Sequence, residues 1–226
     1  MMKNIVLFLA ALVCNIPDTS SAQRCTNDST TMLSDANIMS AIADGRDGRN
    51  VTSFGYNSEV PSSTRLAIAK AMLAASGVQG FPRAIAYGPY NSIATASMTA
   101  TEKYMSYGRR NVDSTLLLPY LTVIITPGAP GRDARFDSEA MTEIKHIILM
   151  SVNANDTTIV QPFEVRQEPV VYSNRFGASV TLIRAIAKFC LTDVPPTNFN
   201  IVGVTNLGPT RPAAFWVDEK NRKLIR

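Results

Sequence analysis

Residues 1–22 constrain the rest of the chain most, because they read as a secretory leader that the folded protein does not keep. Lys3 supplies a small positive start and residues 5–13 are continuously apolar. Pro17 then breaks the helix, and Ser20, Ser21 and Ala22 offer small side chains to a signal peptidase. The apolar run is well short of the roughly 20 residues that a membrane helix needs, and no later stretch approaches that length. The expected mature chain therefore starts near Gln23, has no transmembrane span and folds outside the cytoplasm, either secreted or periplasmic.

An oxidising compartment changes the meaning of the cysteines. Of the three in the chain, Cys14 lies inside the leader. The branched Val13 before it occupies a position where lipid-attachment signals require a small residue, so lipidation is not expected. Cys25 and Cys190 remain. An even number of cysteines in an oxidising environment predicts a disulfide between them, tying the mature N-terminus to the C-terminal third.

Two textures follow the leader, and they predict an α+β chain: a helix-rich region over 23–110, then a β-rich, antiparallel sandwich-like half over 111–226. In the first region, Ser34 or Asp35 caps a short helix through Ala43, closed by the turn Asp44-Gly45-Arg46-Asp47-Gly48. After Pro61, Leu66, Ala69, Met72, Leu73 and Ser76 fall at helical spacing, with Gly77 as a stop. A third helix is expected over 95–107, ended by Gly108. Past Asn111 the pattern turns to β-rich runs bounded by Pro, Gly and Asn, at 116–126, 143–152, 157–165, 170–172, 178–190, 199–204 and 213–217. The polar 153–156 stretch predicts a hairpin joining the second and third of these. Residues 180–189 also suit a helix, but their β-branched content favours a strand. Strict βα alternation is missing, which argues against a doubly wound nucleotide fold.

A hydrophobic fraction of 46% and a charged fraction of 18% suit a packed domain rather than disorder. The formal charge of +4 is a mild bias towards acidic partners. The cations are scattered apart from Arg109-Arg110 and the 220–223 cluster, so a nucleic-acid partner is not expected.

Catalytic constellations are scarce. The single histidine, His146, cannot build a zinc cluster alone, and no Gly-x-Ser-x-Gly elbow accompanies it. Asp18-Thr19-Ser20 resembles an aspartic-protease triplet but falls in the leader. The acids Asp133, Asp137, Glu139, Glu143, Glu164 and Glu168 could include a hydrolytic pair, although their spacing selects none. The loop after Thr126 lacks a Gly-Lys-Ser/Thr ending and its prolines remove donors, so it makes a poor phosphate cradle. Residues 44–50 miss calcium-loop spacing. No metal or cofactor is expected. Sequons stand at Asn27, Asn50 and Asn155, with Asn155 at the expected hairpin tip.

The best contact surface in the sequence is the 103–110 stretch, where Lys103, Tyr104, Tyr107, Arg109 and Arg110 put aromatic rings beside cations. A helix end would also attract these basic residues through its dipole. The resulting expectation is an exported, non-enzymatic protein with a binding or envelope-associated role, its partner a protein or a polysaccharide. The rival is an exported hydrolase using a carboxylate pair.

Overall fold

The computed structural model describes residues 25, 33–48, 53–54, 82–127, 144–153, 156–173, 179–205 and 208–225. Ser34 opens helix α1 (Asp35–Arg46), its hydroxyl accepting the Asn37 backbone N–H at 3.3 Å. Helix α2 (Pro89–Glu102) starts where Pro89 occupies the first turn, a position whose N–H would have no helical partner in any case. A short helix α3 (Glu219–Ile225) closes the described chain. None of these helices is long and apolar enough to cross a membrane.

Among the described residues nine strands make up two sheets: β1 (Ser53–Phe54), β2 (Arg83–Tyr87), β3 (Tyr120–Thr126), β4 (Ile144–Asn153), β5 (Asp156–Val160), β6 (Glu164–Ser173), β7 (Ser179–Cys190), β8 (Phe199–Thr205) and β9 (Gly208–Val217). Their orders are β1-β2-β3-β7-β6 and β5-β4-β8-β9. Every described pairing is antiparallel. The fold is thus α+β, mostly strand and sandwich-like. The expected hairpin is present, with Asn153 opposite Asp156 and Leu149 opposite Val160.

Alternation in the strands decides where the core sits. On the five-stranded sheet Ala84, Ala86, Leu121, Val123, Ile125, Ala185, Ala187 and Phe189 point to one side. On the other sheet Ile147, Leu149, Phe199, Ile201, Phe215 and Val217 meet them, all fully buried. Each large side chain among them contributes about 1.5–3 kcal/mol of transfer free energy. Gln167 bridges one open side of the sandwich, donating through Nε2 to the Ile144 carbonyl at 3.2 Å. At the opposite side β1 touches β9.

The structure corrects several expectations. Helix α1 runs past Gly45, so the chain turns only at Asp47-Gly48, where Gly48 has φ 73°. Helix α2 begins six positions before the expected Thr95 and ends at Glu102. The strand β2 lies inside a stretch whose texture reads as helical, and it pairs with β3 in the main sheet. The 116–126 run divides into a 3₁₀ turn (Ser114–Leu117) and β3, with buried Pro119 between them. The expected 157–165 strand is two strands on different sheets, because Pro162 cannot donate to a ladder and the chain crosses the sandwich there. Pro169 sits on β6, an edge strand, where a missing N–H is tolerated.

The leader, the 61–77 helix, the 174–177 turn, the sequons at Asn27, Asn50 and Asn155, and Asp133, Asp137, Glu139 and Glu143 lie outside the described residues.

Candidate binding surface

Packed beside the sandwich is a small helical layer with its own core, in which Ile38, Ala41, Ile42, Ile93 and Ala94 are buried between α1 and α2. Ser97 donates its hydroxyl to the Ile42 carbonyl at 2.8 Å, and Tyr90 donates to Asp44 at 2.6 Å. These contacts fix α2, and α2 in turn fixes the turn that follows it.

That turn is where the sequence placed its contact surface. Helix α2 ends through two reverse bonds: the Tyr104 N–H donates to the Thr101 carbonyl at 2.9 Å and the Met105 N–H to the Ala100 carbonyl at 2.8 Å. This is the hydrogen-bond pattern of a Schellman cap, which places its first residue beyond the helix in the left-handed region, usually as glycine. Here that residue is Tyr104, at φ 55°, the one described non-glycine residue with positive φ. Gly108, the expected stop, is instead extended at φ −143°. A left-handed tyrosine is strained by about 1–2 kcal/mol relative to a right-handed one.

Beyond the cap the chain is tied down. The Gly108 N–H donates to Asn111 Oδ1 at 3.0 Å, closing a 3₁₀ turn over Arg109–Asn111. Arg109 Nε donates to Asp35 Oδ1 at 3.0 Å, linking the turn to the start of α1. Thr115 donates to Asp113 through both its backbone N–H and its hydroxyl, and the two bonds hold that carboxyl below its ordinary range.

The five residues singled out in the sequence therefore have different fates. Tyr107 packs against the helical core and is half-buried. Burial, followed by the Asp113 charge, raises its phenol pKa. Arg109 is held by Asp35. Lys103 and Arg110 are exposed and have no ion pair among the described residues. Tyr104 is 99% exposed and its neighbour Met105 is 62% exposed. On α1, Met39 is 51% exposed, one turn from the Asp35 that holds Arg109. Three of the five large hydrophobic residues exposed in the described structure (Met39, Tyr104 and Met105) thus belong to this layer. The sequence reading missed Met39 and Asp35, because α1 lies far from residue 104 along the chain.

The other candidates have simpler surroundings. His146 faces Gln161 Oε1 at 2.9 Å, and no group of three metal-ligating side chains occurs among the described residues. Glu164 and Glu168 are not poised as an acid–base pair. They sit directly across from Lys188 and Arg184 on β7, with Lys188 Nζ 2.7 Å from Glu164 Oε2 and Arg184 Nε 3.1 Å from Glu168 Oε2. Cross-strand pairing of this kind stabilises a sheet surface by tenths of a kcal/mol. Cys25 and Cys190 are buried at disulfide distance, with Cα atoms 5.3 Å apart.

Two expected results arise here. Tyr104→Gly removes the left-handed strain and should stabilise the fold by about 1 kcal/mol, read as a higher urea midpoint at unchanged slope. The second concerns pH. Burial raises the phenol pKa of Tyr87, Tyr90 and Tyr107 above the ordinary value of 10.0, and a hydrogen bond to Asp44 adds to the rise for Tyr90. An unfolded tyrosine ionises first, so this stabilisation is complete below pH 10 and is lost as pH climbs through the raised folded values. Urea unfolding between about pH 8 and pH 11 should show stability falling only at the alkaline end.

Comparison with known proteins finds no matching family model, curated protein or solved structure.

Proposed function

We propose that this chain is exported, matures near Gln23 and has a non-enzymatic binding or envelope-associated role, with the 103–110 turn as its contact surface. The observation that carries export is the Cys25–Cys190 pair. Two buried cysteines separated by 165 residues in sequence, at disulfide distance, suit an oxidising compartment, and the leader-like residues 1–22 point the same way. Support for binding is an aromatic side chain held fully exposed in a strained backbone conformation, on a turn anchored at both ends. Local strain of that kind persists where a side chain is needed at a defined place.

Intact mass of the protein recovered outside the cytoplasm tests the export half. A chain starting at or near Gln23 is the expected result. A species keeping Met1, or carrying a lipid on Cys14, rejects it.

A further inference from the structure

We propose that the turn after α2 is a self-association surface, and that its partner is a second copy of this chain. The inference rests on the reading of 103–110 as a binding surface and names what binds there.

Composition favours a protein partner over a glycan or a lipid headgroup. Tyrosine, methionine and arginine are the side chains enriched at the centres of protein interfaces. The exposed residues of this turn include Tyr104, Met105 and Arg110. An exposed methionine suits a protein interface better than a glycan platform. An anionic membrane needs a surplus of cations, whereas Lys103 and Arg110 are offset by exposed Glu102 and Asp113, and Arg109 is already neutralised by Asp35.

The same mixture of signs selects the partner. In a two-fold symmetric contact one patch meets its own copy, so every residue i that touches j also has j touching i. A patch of one sign repels itself. This one carries Glu102 at the last turn of α2 and Arg110 in the 3₁₀ turn, both exposed and without an ion pair among the described residues. A two-fold contact centred on Tyr104 and Met105 would let Glu102 of each copy meet Arg110 of the other, and reciprocity would make that two ion pairs. The left-handed Tyr104 then has a purpose, because glycine would relieve the strain and remove the anchor. Cap hydrogen bonds and the Arg109–Asp35 tie hold the turn in shape before contact, which lowers the entropic cost of association.

The test is sedimentation velocity of the mature protein over about 1–200 µM, a range suited to a small interface. A weight-average mass rising towards two copies is expected. Tyr104→Gly should weaken association by about tenfold or more without lowering the melting temperature, which separates loss of contact from loss of fold. Glu102→Arg and Arg110→Glu should each be monomeric alone, and an equimolar mixture of the two should regain the dimer. A wild type that stays monomeric throughout, or a mixture that does not associate, overturns the inference. Pull-down on purified cell-wall polysaccharide distinguishes the two failures. A monomer retained there, and lost on Tyr104→Gly, overturns self-association while the binding reading stands; a monomer that is not retained overturns self-association and removes polysaccharide as the partner.

Discussion

Removing both cysteines as Cys25→Ala/Cys190→Ala should lower the melting temperature by about 5–15 °C. Cross-linking residues 165 apart takes most of the loop-closure freedom from the unfolded chain, nominally about 5 kcal/mol, with measured gains commonly 2–4. Each kcal/mol moves the midpoint of a domain of this size by about 2–4 °C. The alanines leave no unpaired polar group behind, which matters because both positions are buried. Reductant should lower the wild-type midpoint by a similar amount and leave the double variant unchanged. Equal melting of both proteins with and without reductant would show that the pair is not bonded.

The second large effect is expected at Gly45→Ala. In an ordinary helix interior this exchange stabilises by about 1 kcal/mol, because alanine is the better helix former. Here the sign reverses. A Cβ built at residue 45 would lie 2.0 Å from the Ala94 carbonyl oxygen and 2.8 Å from Ser97 Cβ. Backbone cannot swing aside as a long side chain can, so α1 and α2 must separate. Their separation strains the Ser97–Ile42 hydrogen bond and loosens the packing of Ile38, Ile42 and Ile93. A net loss of about 2–4 kcal/mol is expected, read by urea unfolding. Gly48→Ala is the control: it has φ 73° and open space around it, so backbone strain of about 1 kcal/mol is its whole effect. A neutral or stabilising Gly45→Ala would show that the helices do not cross this closely.

These two sites differ in how far the sequence announced them. The Cys25–Cys190 pair was expected from counting, given an expected leader and oxidising compartment, and the structure brings the two to disulfide distance. Gly45 was misread as a turn residue, because glycine is both a helix breaker and the one residue that permits two helix backbones to touch. Only the position of α2 separates those meanings.

The contact surface divides the same way. That 103–110 mixes rings and cations was legible along the chain. Which ring faces out was not, because Tyr107 turns inward to pack on the buried cluster between α1 and α2, and Asp35 lies 74 positions from Arg109.

By itself the sequence determined what short-range physics governs. The Ser34 cap, the polar turn between β4 and β5, the β-rich apolar run that contains β3, the β-branched content of β7, and hence an α+β chain with an antiparallel β-rich half, all depend on a few adjacent residues. Tertiary structure alone decided whatever depends on distant backbone. It made Arg83–Tyr87 a strand by giving it β3 as a partner, placed the two halves of the 157–165 stretch on different sheets, kept α1 helical through Gly45, and ended α2 at Tyr104 instead of Gly108. At β2, Gly45 and Tyr104 the local preference is worth about 1–2 kcal/mol or less, and the long-range packing that overrides it is worth several.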